Sequence, residues 1–368
     1  MPYVNIPWMI HLVVPGLLWP KDSIAEITRG LALPALHTLL GRGRLVRRPA
    51  MPEERWLCEA FGIAGEELPV GALRLLGEGG DPGSDAWLCA DPVHLRFARD
   101  TLVLDAAGPD LAAEEAAQLV AALNAHLGEF GEFRAPHPRR WYLRPKRLPR
   151  IATHPPSAVA GRTLEPFLPQ GDEARDWRRL INESQVLLHN HPLNAAREAA
   201  GRITANSLWP WGAGSLPGRA TAPAARIEAS HPLAIGLARL SGVPALPTPE
   251  RFEIAVPGRL TFLQDLELAA QGLDDAAWRT GLTELETRWF APLLAALKGR
   301  KLTGLRLTAL GDEACLDLTL DAGDAWQFWR RPKSLADLIT EQLVVPAKAG
   351  TQQHSHTETL PGFPRSRE

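Results

Sequence analysis

The chain predicts an α/β protein carrying a smaller inserted α+β module. Three observations support that expectation. An apolar run at residues 10–14 stops at Pro15-Gly16 and is followed by helical patterns, the order of a buried parallel strand and its crossover. Short strand patterns gather around one long helix between residues 85 and 150. Helices and strands then alternate again from about residue 170 to 342. The implied division is 1–84 as the first part of the α/β core, 85–150 as the inserted module, 151–342 as the rest of the core, and 343–368 as a disordered tail.

Each element has a local reason. Asp22 or Ser23 can cap a helix running toward Arg29. Leu33, Leu36, Leu39 and Leu40 lie on one face of a second helix, which Gly41 stops. A third helix covers 53–61. Residues 77–85, rich in Gly, Asp and Pro, read as a loop and a boundary. Beyond it, 87–90, 93–97, 101–105, 132–135 and 141–143 read as strands, and 111–127 as an amphipathic helix. After the Pro-rich stretch 145–169, residues 176–189, 232–240 and 276–297 read as helices. Residues 302–310 and 314–320 read as strands joined at Gly311-Asp312. The tail from Val344 lacks periodicity and resembles translated intergenic repeats of bacterial genomes, so His354 and His356 are poor metal candidates.

Composition narrows the functional classes. The 368 residues are 45% hydrophobic and 22% charged with a net charge of −2, which argues against bulk nucleic-acid binding. The basic run 138–147 reads as a solvated face. Cys58, Cys89 and Cys315 are few, odd in number and far apart, the usage of a reducing compartment rather than a disulfide framework. The apolar N-terminus lacks a basic leader region, and Pro breaks it, so neither a signal peptide nor a membrane span is expected. A cytoplasmic protein is the expectation.

The richest stretch runs from His189 to Gly214. His191 reads equally as a phosphate contact or as a helix-terminal residue before Pro192. Asn194 belongs to the same cluster, and Asn206 reads as a ligand donor or, more readily, as a turn residue. Arg197 and Arg202 can hold an anion bidentately or sit on a solvated helix face. Trp209 and Trp211 are taken to flank Pro210 on opposite faces, one in the core and one as a stacking wall. Asp91, Pro92 and His94 read as a strand-edge turn rather than a site. Asp172, Glu173 and Asp176 read as a helix N-terminal cluster favoured by the dipole. Ser184 has no evident base partner.

That stretch resembles the archaeal-type cofactor-independent phosphoglycerate mutases, which carry His-Pro-x-Asn, an Arg, and Ala-Asn-x-x-Trp-x-Trp-Gly-x-Gly. Here these are His191-Pro192-Leu193-Asn194, Arg197, and Ala205-Asn206-Ser207-Leu208-Trp209-Pro210-Trp211-Gly212-Ala213-Gly214. The runs Ala90-Asp91-Pro92-Val93-His94-Leu95 and Arg140-Trp141-Tyr142-Leu143 look closer still to the proteobacterial Rpf-E-type regulatory proteins. The resemblance implies an alkaline-phosphatase-type α/β core with an inserted domain, two divalent metals and a Ser nucleophile. The chain departs from it at four points. The first strand ends in Pro15-Gly16 where an Asp-Gly turn is implied. Residues 41–52 contain neither Ser nor Thr. Asp265 and Glu267 lack a following His, and so does Gly311-Asp312-Glu313-Ala314.

The expectation is therefore a non-catalytic regulatory protein with no catalytic residue, metal or cofactor. It could keep a small phosphorylated ligand near His191, Asn194, Arg197, Asn206, Trp209 and Trp211, and could have a protein partner, with no nucleic acid and no membrane. The alternatives are a divergent metal-dependent phosphoglycerate mutase or phosphatase, and a structural protein-interaction module.

Overall fold

A computed structural model describes residues 9–98, 101–254 and 258–340. The tail expectation falls outside these residues. Among the described residues thirteen strands form three sheets: β1 (Met9–Pro15), β2 (Arg44–Arg48), β3 (Ala86–Val93), β4 (Leu95–Ala98), β5 (Thr101–Leu104), β6 (Gly131–His137), β7 (Arg140–Pro145), β8 (Ser207–Ser215), β9 (Arg226–Glu228), β10 (Ala245–Leu246), β11 (Arg259–Phe262), β12 (Gly304–Leu310) and β13 (Cys315–Asp321). The large sheet has the order β10-β9-β11-β1-β12-β13-β2. Five of its strands pair in parallel, and β13 runs against both its neighbours. The smaller sheet, β6-β7-β3-β8, is antiparallel throughout, and β4-β5 is a hairpin. The mixed α/β architecture with a sheet core is thus as expected.

Strand alternation sorts the side chains into three apolar layers. Ile10, Leu12 and Val14 of β1 pack under the helices Pro34–Arg42 and Asp275–Leu285. Val13 faces the middle layer, together with Trp87 and Cys89 of β3 and Trp209 and Trp211 of β8. Leu88, Ala90, Leu208 and Ala213 face the outer layer, covered by the helices Ala113–Leu127 and Ala174–His189. The small sheet therefore takes its fourth strand from 207–215, well past residue 150. The reason is hydrogen bonding: β3 lies buried between two apolar layers, so the backbone groups on its edge away from β7 must be paired, and β8 pairs them.

Two elements differ from the pattern read in sequence. The stretch 276–297 is not one regular helix. It widens into a π turn at Glu286–Phe290, where the buried Glu286 accepts hydrogen bonds from the backbone N–H groups of Ala35 (2.6 Å) and Leu36 (3.0 Å). A distant carboxylate thus caps the helix Pro34–Arg42, whose own N-cap residue, Leu33, has no side-chain acceptor.

The helix Val70–Gly77 is buried along nearly its whole length, its single charged residue Arg74 included. It crosses the helix Pro232–Leu240 at a glycine contact. A Cβ on Gly77 would stand 1.7 Å from the Pro232 oxygen, and one on Gly236 would stand 1.9 Å from the Leu73 oxygen. Gly236→Ala must push the helices apart, and we expect a loss of about 1–3 kcal/mol in urea unfolding. A loss under about 0.5 kcal/mol would contradict this packing. Among the described residues no helix is long and apolar enough to cross a membrane.

Candidate functional site

A cavity of about 210 Å³ opens at the carboxyl ends of β1 and β12. This end of a parallel sheet is where open α/β folds bind ligands. Pro15-Gly16 and Leu310-Gly311-Asp312 form its floor, with Ala50-Met51-Pro52-Glu53 on one side and Glu267 on another. Gly16 has φ +73°, and a Cβ there would meet the Leu266 oxygen at 2.7 Å, so the glycine lets the Glu267 helix close against β1. Ser157, Ala158 and Arg162 complete the wall. The four segments at which the chain departs from the mutase pattern thus converge on one cavity.

Its chemistry is acidic and partly desolvated. Glu53 and Glu54 open the helix Glu53–Ala60 and are both buried. Burial, reinforced by repulsion from Glu54, raises Glu53 to about 8. Burial and repulsion from Glu53 raise Glu267 to about 8. Glu54 is also raised by burial, and its carboxylate accepts a hydrogen bond from Ser157 Oγ at 2.8 Å. His231 Nε2 stands 3.2 Å from Glu53 Oε1, and burial lowers its pKa, so a neutral ring donates to that oxygen. Among the described residues no N–H or hydroxyl group donates to Glu53 Oε2. Glu267 interacts with this carboxyl and satisfies it when one of the two holds a proton. Gln264 and Gln271 hold Glu267 in place through their amides, at 2.9 and 3.2 Å. Arg162 pairs with Asp312 at 2.9 Å on the exposed rim.

These residues do not fit a pair of divalent metals. Two-metal centres need charge-neutralising donors around both ions. Pro15 and Ala50-Met51-Pro52 offer no side-chain oxygen or nitrogen donor, Asp312 is drawn to Arg162, and Asp265 turns to Arg288 at 2.8 Å. Among the described residues no group of three or more His, Cys, Asp or Glu side chains is arranged to hold a metal ion.

The stretch 189–214 lies elsewhere and is bound into the fold. His191 caps the helix Pro192–Ala199, its Nδ1 accepting from the Leu193 N–H. Asn194 is buried and bonds the Leu188 and Ala205 oxygens, both at 2.8 Å. Arg197 is buried and is consumed by Glu115 (2.7 Å) and the Asp110 and Ile203 oxygens, and Arg202 joins it on Glu115 at 3.1 Å. Asn206 bonds both backbone groups of Leu95, extending the β3–β8 ladder past its end.

The two tryptophans require a correction. Residues two apart in a strand share a face. Trp209 and Trp211 accordingly both enter the middle layer, neither standing as an exposed wall. Trp209 Nε1 donates to the His154 oxygen and Trp211 Nε1 to Asp91 Oδ2. Gly212, at φ +66°, takes up the bulge opposite Trp87 and Cys89 and lies against Val70. Trp211 and Gly212 border a separate cavity of about 50 Å³. The other five residues of that set border neither this cavity nor the strand-end one.

The remaining candidates are also structural. Asp91 forms a buried bidentate pair with Arg74. His94 bonds the Thr204 oxygen. Ser184 is fully buried between the Ile181 oxygen and the Leu208 N–H. Glu173 pairs with Arg147, and of the other arginines in the basic run Arg140 pairs with Glu78 and Arg144 with Asp85 and Glu132. All three cysteines are buried and free. Sequence reasoning passed over Glu53, Glu54, His231 and Arg162. The two glutamates look like ordinary first-turn residues, and His231 precedes a helix 178 positions after Glu53 (231 − 53).

Comparison with known proteins gives a likeness over part of the chain. Residues 71–194 match the family model of 2,3-bisphosphoglycerate-independent phosphoglycerate mutase, about a third of the chain. A mutase of that description from Methanosarcina barkeri is 32% identical over 137 residues, 35% of this chain and 34% of that protein. A probable one from Geobacter sulfurreducens is 30% identical over 128 residues, 34% of this chain and 32% of that protein. The matched segments span about a third of the length of these curated relatives. Among solved structures, the cofactor-independent phosphoglycerate mutase of Thermoplasma acidophilum aligns over 92% of this chain and 96% of its own, with 16% identity and a TM-score of 0.47. The chain is therefore phosphoglycerate-mutase-like at low identity. The segments that bring Pro15, Glu53, Glu267 and Asp312 to the cavity lie outside the family match.

Proposed function

We propose that this chain is a non-catalytic regulatory relative of the cofactor-independent phosphoglycerate mutases, in which the former reaction cleft has become a ligand-recognition pocket. The convergence of all four departures on one cavity carries this reading. A phosphoryl-transfer centre needs a nucleophile and a dense donor set there. This cavity instead has Pro15, Ala50, Met51, two carboxyls prone to hold protons, and a rim arginine already paired. The divergent-mutase alternative needs metal donors that these segments lack. The phosphorylated ligand considered for the 189–214 stretch would have to displace hydrogen bonds that close β8 onto β3, so recognition is better sought at the strand ends.

The test is turnover of 3- and 2-phosphoglycerate by purified protein supplied with manganese or zinc, with its metal content measured in parallel. We expect no interconversion above a blank and substoichiometric metal. Metal-dependent turnover abolished by Glu267→Ala would restore the divergent-enzyme reading.

A further inference from the structure

We infer that the turn from Trp326 to Arg331 docks this chain peripherally on an anionic lipid surface. Trp326, Phe328 and Trp329 enter the interface, and Lys298, Arg300, Lys301, Arg330 and Arg331 meet the lipid phosphates. The turn follows the end of β13, beside the start of β12, so it lies at the opposite end of the large sheet from the cavity and does not depend on how that cavity is read. No described helix crosses a membrane. Peripheral contact needs none, and the inference replaces the expectation of no membrane partner.

Three observations support it. The rings stand outside the core: Phe328 is 82% exposed, Trp329 68% and Trp326 56%. A single exposed apolar residue is ordinary, but three large aromatic rings within four positions form a patch of the kind that marks an interaction surface. Phe328 and Trp329 pack edge to face with ring centroids 5.2 Å apart, so they project together. The turn beneath them is anchored. Ala325 is fully buried and its oxygen accepts from Arg42 Nη1, while Arg330 Nη1 donates to the Arg42 oxygen at 2.8 Å and Trp326 Nε1 to the Lys298 oxygen at 3.1 Å. That last bond brings the basic turn 298–301 beside the rings. The charge is also one-sided. The chain as a whole carries −2, yet residues 298–301 and 326–331 hold five cationic side chains and no carboxylate. The adjoining Asp324 is taken by the Asp321 N–H (3.1 Å) and Gln327 Nε2 (2.7 Å).

Trp and Phe rings are favoured at the headgroup boundary, and each nearby Lys or Arg adds attraction to an anionic leaflet. An acidic protein would suit the charge as well, but a folded partner needs a preformed hollow for each protruding ring, whereas a fluid bilayer yields around it. The rings border neither cavity described above, so the patch is a protrusion and not a groove.

Flotation of the full chain with vesicles of equal parts phosphatidylglycerol and phosphatidylcholine, against vesicles of phosphatidylcholine alone, tests this. Part of the phosphatidylcholine is brominated, so that tryptophan entering the bilayer is quenched. We expect binding about tenfold or more tighter on the anionic vesicles. It should weaken about tenfold or more when salt rises from about 0.1 M to about 1 M and the screening length falls from about 10 Å to about 3 Å. Phe328→Ala with Trp329→Ala should weaken it about tenfold or more and reduce the quenching, while urea unfolding stays as in the native chain because both side chains are exposed. Lys301→Glu with Arg331→Glu, also exposed, should weaken it about tenfold or more. No flotation with the anionic vesicles overturns the inference. Binding indifferent to the aromatic pair overturns it too, because charge alone would then account for the contact. Displacement by polyglutamate without any bromine quenching would assign the patch to an acidic protein and overturn it as well.

Discussion

Asp91→Ala is expected to destabilise the fold by about 3–5 kcal/mol, the largest single effect foreseen for this chain. Arg74 Nη1 and Nη2 donate to the two oxygens of Asp91 at 2.8 and 2.6 Å, and both residues are buried. Arg74 sits on the helix Val70–Gly77 and Asp91 on β3, so the pair ties the helix to the small sheet. Tyr142 OH receives Arg74 Nε at 3.0 Å, and both rings of Tyr142 and Trp211 lie against the guanidinium. Removing the carboxylate leaves a buried cation without its counter-charge and leaves the Trp211 Nε1–H and Trp141 N–H without their acceptor. Without Asp91 the desolvation of Arg74 stands uncompensated, and a guanidinium is too basic to relieve it by losing its proton. The double variant Arg74→Met, Asp91→Leu should recover most of the loss, because it deletes both charges together. Chemical denaturation of the three proteins decides it. An Asp91→Ala loss below about 1 kcal/mol would mean that the pair is not isolated from water.

The second large effect is a loss of stability above neutral pH, relieved by Glu53→Gln. Burial raises the folded-state pKa of Glu53 from 4.5 to about 8. Between those values the folded chain holds a proton that the unfolded chain has released, so stability falls as pH rises through the window. Each tenfold difference in proton affinity between the folded and unfolded chain corresponds to about 1.4 kcal/mol. Below about pH 6.5 the buried neutral His11 and His231 act in the opposite sense, because their lowered pKa values leave the unfolded chain with more protons. The interval from pH 7 to 9 therefore reports the carboxyls most cleanly. There the native chain should lose about 1–2 kcal/mol, while Glu53→Gln should flatten the profile and be about 2–4 kcal/mol more stable at pH 9. A flat native profile over that interval would mean that Glu53 ionises freely and is better solvated than its burial implies.

Much of the architecture was legible because it rests on local periodicity. The residue 10–14 run, the helix spacing of 176–189 and the two late strands each declare themselves within a dozen residues. What escaped depends on partners far away in sequence. The helix Val70–Gly77 is buried on all sides and shows no polar face. The π turn at Glu286 follows from a cap that its carboxylate supplies about 250 residues earlier in the chain. β8 goes unseen because Pro210, Gly212 and Gly214 mask a strand that pairs with the edge of β3. The site was half legible. Pro15-Gly16, Glu267 and Gly311-Asp312 could be named from the family pattern, but His231 and Glu53 meet only through the crossing of their helices. The stretch 189–214 misled for a physical reason. Buried arginine and tryptophan look like ligand donors when their internal partners, Glu115 for Arg197 and Asp91 for Trp211, lie 82 and 120 residues earlier in the chain.

The cavity between Pro15 and Gly311 lacks the donors of a two-metal centre. Crystals grown with excess manganese, measured by anomalous diffraction at the manganese edge, test it most directly. We predict no ordered manganese among Glu53, Glu267 and Asp312. Two anomalous peaks about 3.5–4 Å apart in that cavity would contradict the account.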